Sequence, residues 1–108
     1  MKIAWTTVAT AGEAEQMARA LVTGGLAVCV QIEGPLRSYY RWEGKVETSA
    51  EHRLTLKCLD ENLPALEAAV LARHPYAVPE WIVVDACRVG EKYLSWARSE
   101  GHPLPFNT

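Results

Sequence analysis

Apolar and polar positions change period several times along the chain, and each change marks an element. Ile3 to Thr7 reads as a short first strand. Thr10-Ala11-Gly12-Glu13 has the Thr-x-x-Glu form of a capping box, which satisfies N–H groups that a helix start leaves unpaired. Behind it Ala14, Met17, Ala18, Leu21 and Val22 fall at i, i+3, i+4, i+7 and i+8, one apolar face of a helix. Gly24-Gly25 ends that helix, because glycine accepts the left-handed conformation. A strand over Leu26–Ile32 follows, with Gly34-Pro35 bending or bulging it and Leu36–Trp42 resuming it. Glu43-Gly44-Lys45 reads as a tight hairpin turn.

The return strand spans Val46 to Leu59. Leu54, Leu56 and Cys58 alternate with Arg53, Thr55 and Lys57, so the two sets face opposite ways. The polar stretch Thr48–His52 is expected to hold a bulge or an exposed extension. A second helix carries Pro64 in its first turn, buries Leu63, Leu66, Val70 and Leu71, and stops before Pro75. Trp81–Cys87 reads as a strand. Glu91–Ser99 reads as a last helix with Tyr93, Leu94, Trp96 and Ala97 inward, and His102–Pro105 as an extended tail. The order β-α-β-β-α-β plus a helix predicts an α+β, ferredoxin-like sandwich: one antiparallel sheet with helices on one face. The other sheet face is then open, and covering it with further subunits is economical. The long hairpin is the natural arm for reaching a neighbour.

At 108 residues, a single domain over 1–108 is expected. The 49% apolar and 22% charged content is that of a globular chain rather than a disordered one. No stretch approaches the ~20 apolar residues of a membrane span. Met1–Thr7 lacks the apolar run of a signal peptide, so a cytoplasmic protein with reduced thiols is expected. The formal charge of −2 argues against nucleic acid as partner.

The loop His74–Glu80 is the most suggestive segment for chemistry. Two prolines stiffen it, and it carries an imidazole, a phenol and a carboxylate. His74 and Glu80 can contact a transition metal. The plainer alternative is that His74 ends a helix and Glu80 makes an ordinary ion pair. No Cys-x-x-Cys or His-Glu-x-x-His spacing occurs. Cys29, Cys58 and Cys87 lie within apolar strands and read as packed, inert thiols. No serine has an evident His/Asp partner, so a hydrolase triad is not supported, and a non-enzyme is expected. Tyr39-Tyr40-Arg41-Trp42 mixes aromatic and basic groups. Such a run stacks bases in RNA-binding modules or anchors subunit interfaces, and the acidic balance favours the interface.

Ala27-Val28-Cys29-Val30, Ser38–Lys45, Leu56-Lys57, the His74-Pro75-Tyr76-Ala77-Val78-Pro79-Glu80 loop and Tyr93-Leu94-Ser95-Trp96 occur in that order. Together, across nearly the whole chain, they closely resemble the CutA divalent-cation tolerance family. The resemblance implies a ferredoxin-like subunit in a tight homotrimer, similar in architecture to PII signalling proteins, and a link to tolerance of copper and other divalent cations. In some bacterial members copper ligation is attributed to a first-strand cysteine and two adjacent histidines before Pro-Tyr. Here Trp5 lies near the cysteine position, Arg73 replaces the first histidine and His74 remains. A cytoplasmic homotrimer holding a divalent ion such as Cu²⁺ through His74 and Glu80 is therefore expected. Trp42, Lys57 and Tyr76 are expected to line a cleft, with Lys57 offering charge to an anion. Two other classes stand beside this: a PII-like regulator of a small anionic ligand or an unknown protein partner, and a mainly structural trimer.

Overall fold

The computed structural model describes residues 1–105. The chain runs β1 (Lys2–Val8), α1 (Ala11–Thr23), β2 (Cys29–Trp42), β3 (Lys45–Cys58), a 3-10 turn (Asp60–Asn62), α2 (Leu63–Arg73), β4 (Ile82–Asp85) and α3 (Glu91–Glu100). The strands form one sheet in the order β2-β3-β1-β4, every pair antiparallel. This is the α+β ferredoxin-like arrangement expected from the element order.

Register places each residue on a face. Val30, Leu56, Ala4 and Val83 lie side by side in one row, and the helices pack there. Ala14, Met17 and Leu21 of α1 and Leu66 and Val70 of α2 join Ala4, Val8, Leu54, Leu56 and Cys58 in one core. Burying a leucine such as Leu56 stabilises the fold by about 1.5–3 kcal/mol relative to leaving it exposed. The alternate row holds Cys29, Lys57, Ile3 and Val84, and the next Gln31, Thr55, Trp5 and Ile82. α3 meets the edge of these rows, where Leu94 and Cys29 join one cluster and Tyr93 lies beside Lys57, while Ile82 and Val84 stay exposed.

The helix start follows the capping logic with a variation. Thr10 Oγ1 accepts from the Glu13 backbone N–H at 3.1 Å and donates to Glu13 Oε1 at 2.9 Å. The helix end departs from expectation. The N–H groups of Gly24, Gly25, Leu26 and Ala27 all bond back to carbonyls of α1, so β2 begins at Cys29 rather than Leu26. Gly25 has φ +72°, and a Cβ there would lie 2.1 Å from the His102 carbonyl carbon, so the C-terminal segment needs glycine at this point. The Leu104 N–H donates to the Thr23 carbonyl at 2.9 Å and seats that segment.

β1 pairs with β3 only from His52 to Cys58, so Lys45–Glu51 and its β2 partner Leu36–Trp42 project as a two-stranded arm. Its turn has positive φ at Glu43 (49°) and Gly44 (78°), the twist that suits right-handed strands. The pairing irregularity falls in β2 between Glu33 and Leu36, at Gly34-Pro35, and not in Thr48–His52 as also considered; β3 is continuous.

β4 stops at Asp85, opposite Lys2, with one last hydrogen bond from the Ala86 N–H to the Met1 carbonyl at 3.0 Å. Cys87 therefore lies beyond the strand and is exposed, Cys29 is half-buried, and only Cys58 has the packed position expected of all three. α3 is also less buried than its pattern suggested. It packs through Ala97 and Leu94 against Val28, Leu59 and Met1, while Tyr93 and Trp96 stay exposed and lean on each other at 5.3 Å. They form the stripe beside the packed one.

Candidate functional site

An open cleft of about 830 Å³ runs between the hairpin arm and the loop after α2. Tyr40 and Trp42 of β2 and Glu51 of β3 line one side, and Tyr76–Glu80 line the other. Pro75 and Pro79 bracket that loop and fix its backbone near both ends.

His74 leaves α2 with extended backbone and turns its ring onto the end of β1. Its Nε2 lies 2.9 Å from the Thr7 carbonyl oxygen and 3.0 Å from Thr6 Oγ1. A carbonyl only accepts, so Nε2 carries the proton, and Nδ1 is left as an acceptor. It accepts the Tyr76 backbone N–H at 3.2 Å. The Tyr76 ring stands edge-on to the imidazole at 4.8 Å. From there the Tyr76 hydroxyl donates to Glu51 Oε2 at 2.9 Å. Burial, then the hydrogen bond to Glu51 and its charge, push the Tyr76 phenol above its ordinary value of 10.0, and Tyr40 adds in the same direction.

Glu51 is 9% exposed. Among the described residues the ion pairs are Met1 amine with Asp60, Lys2 with Asp85, and Arg53 with Glu33. None involves Glu51, so this buried carboxylate is answered by a phenol and by no cation of the described chain.

The residues expected from sequence scatter around this centre. Tyr76 is part of it, and Glu80 and Trp42 line the cleft from exposed positions. His74 stands behind Tyr76, with both ring nitrogens engaged within the chain. Lys57 does not line the cleft. It lies half-buried on the sheet face opposite the core, with its amine 5.8 Å from the centre of the Tyr93 ring. Among the described residues no three His, Cys, Asp or Glu side chains converge as a metal group would require. Glu51 was not singled out from sequence. Nothing local separates it from Glu47, because its burial comes from a loop 25 residues away in sequence.

A four-stranded antiparallel sheet with helices on one face, a projecting arm and a cleft between arm and loop define a small α+β protein of the ferredoxin-like class. The family follows from comparison. Residues 2–100 match the family model of the CutA1 divalent ion tolerance protein, and the chain belongs to that family. It is 39% identical over 92 residues to the divalent-cation tolerance protein CutA of Thermus thermophilus, covering 85% of this chain and 89% of the relative. It is 36% identical over 97 residues to the chloroplastic protein CutA 1 of Oryza sativa, covering 90% of this chain and 55% of that longer protein. The crystal structure of CutA1 from Pyrococcus horikoshii superposes with a TM-score of 0.89 at 33% identity, covering 93% of this chain and 97% of that one. The names of similar proteins include both chloroplastic and periplasmic forms, so membership does not by itself assign a cytoplasmic location. No helix among the described residues is long and apolar enough to cross a membrane.

Proposed function

We propose that the protein acts in divalent-cation tolerance as a homotrimer that binds a cation in the arm–loop cleft, without catalysing a reaction. The observation that carries this is Glu51. Burying a carboxylate is unfavourable unless a partner offsets it, and within the described chain Glu51 has only the Tyr76 hydroxyl. A cation entering the cleft supplies that partner. Apolar exposure supports the assembly: Val46 and Tyr39 on the arm are 73% and 68% exposed, and Ile82 on the sheet face opposite the core is 52% exposed. Such surfaces exceed what an isolated small domain gains from showing to water.

Copper held by His74 fits these residues poorly. The imidazole spends both nitrogens on the protein, Trp5 lies near the first-strand cysteine position, and Arg73 stands at the position of the first of the two histidines. The cleft offers carboxylate oxygens from Glu51 and Glu80, which suit harder ions such as Mn²⁺ or Mg²⁺. A small anion is the weaker reading, because two carboxylates outnumber Arg41 along the cleft and Lys57 faces elsewhere. Calorimetric titration with Mn²⁺ and Cu²⁺ tests the proposal. Weak, saturable Mn²⁺ binding lost in Glu51→Gln is expected. Copper binding that survives Glu51→Gln and vanishes in His74→Ala would overturn it and return the metal to the histidine.

A further inference from the structure

We infer that the cleft recognises an organic cation, an ammonium or guanidinium group on a small molecule, rather than a bare metal ion alone. The inference rests on the cation reading of Glu51 and goes one step further, to the chemical class. A calcium ion takes six to eight oxygen ligands, and magnesium demands a near-octahedral shell. Among the described residues no three ligating side chains meet. An organic cation asks for less: one or two acceptors for its N–H groups, and apolar or aromatic surface for its carbon.

The cleft offers that combination. Tyr76 occupies Glu51 Oε2, which leaves the second carboxylate oxygen to accept from an N–H donor. Tyr40 lies near enough to Tyr76 to be felt electrostatically by its phenol. Trp42 follows two residues along β2, on the same strand face as Tyr40, and both rings line the cleft. Rings of this kind attract cations over their faces and shed water from a ligand's carbon skeleton. Arg41 also lines the cleft, but it falls on the alternate face of β2 and makes no ion pair with Glu51. The volume of about 830 Å³ is in the range of small-molecule sites and far exceeds what one metal ion fills.

Calorimetry on the intact protein at fixed ionic strength tests this, with n-butylammonium and methylguanidinium chloride as probes and sodium acetate as control. The organic cations are expected to bind saturably and acetate not at all. Glu51→Gln is expected to lower their affinity about 10-fold or more, as loss of a charged hydrogen-bond partner does. Tyr40→Leu, which keeps bulk and removes the ring, is expected to lower it about 5-fold. Butylammonium is also expected to displace Mn²⁺ from the wild-type protein, a readout that stands even where Glu51→Gln fails to fold. Mn²⁺ binding that depends on Glu51, with no organic cation binding or no effect of Tyr40→Leu, would overturn the organic class and leave the cation reading intact. Absence of binding by every cation would overturn both. Dissociation of the oligomer in Glu51→Gln, with no cation binding to the wild type, would mean that a side chain of a second copy fills the cleft, and would overturn the small-molecule assignment.

Discussion

Replacing His74 with alanine separates a histidine that holds the fold from one that holds a metal. In the structure its Nε2–H serves the Thr7 carbonyl and Thr6 hydroxyl, and its Nδ1 receives the Tyr76 N–H. Each net hydrogen bond contributes about 0.5–1.5 kcal/mol, and groups left unsatisfied in a half-buried setting add to the loss. Truncation is therefore expected to cost about 2–3 kcal/mol per chain, which at this size corresponds to a melting point lower by roughly 10–20 °C. The measurement is thermal and urea unfolding in buffer with excess chelator, so that no metal contributes. His74→Asn gives a graded control: its amide oxygen reaches the Nδ1 position and can accept the Tyr76 N–H, but nothing replaces Nε2. An intermediate loss is expected there. Metal-free unfolding that is unchanged in His74→Ala, together with loss of divalent-ion affinity, would refute the structural role and restore the histidine as a ligand.

Two further outcomes follow from the same geometry. The Tyr76 phenol is held protonated above its ordinary value of 10.0, so the folded chain binds more protons than the unfolded chain once the pH passes that value, and stability falls as pH rises beyond it. Urea midpoints at about pH 9 and about pH 11 are expected to fall less in Tyr76→Phe than in wild type, with Tyr93, raised by its own burial and by Cys29, keeping part of the slope; parallel declines would count against it. Trp42 stands exposed beside the arm's turn, and as an interface anchor its truncation to alanine should weaken the trimer by about 2 kcal/mol or more, roughly 30-fold. Native mass spectrometry across a dilution series reads this, and an unchanged dissociation profile would remove Trp42 from the interface.

Most of the fold was legible because it rests on local periodicity. The Thr10 cap, the α1 stripe, the Leu54-Leu56-Cys58 face and the Gly44 turn each have a short-range signal that the structure keeps. The misses share a cause: they depend on where a partner element ends. β4 ends at Asp85, with one further hydrogen bond from the Ala86 N–H to the Met1 carbonyl, and Tyr93 and Trp96 stay largely in solvent because Leu94 and Ala97 make α3's packed contacts. The site was half legible. The proline-bracketed loop announced itself, while Lys57 lies away from this cleft, beside Tyr93. Strand alternation told which residues share its face, not which face the cleft would adopt. Glu51 carried no local mark, since two elements distant in sequence combine to bury it.

Those elements form one relay, which explains why a histidine so suggestive in sequence is not the centre of the site. The end of β1 fixes the imidazole, the imidazole fixes the Tyr76 backbone, and the Tyr76 hydroxyl reaches Glu51 at the base of the arm. Every link is a hydrogen bond of 2.9–3.2 Å, and each uses a group that would otherwise be free to meet a ligand. The same imidazole cannot present a lone pair to a metal while Nδ1 accepts the loop N–H and Nε2 carries a proton. What His74 contributes to the cleft it contributes through Tyr76. It holds the loop that brings the phenol onto one carboxylate oxygen. The sheet thus reaches the cleft by way of a stiff loop, and in the cation reading proposed above the group that answers the ligand is the carboxylate at the far end of that relay.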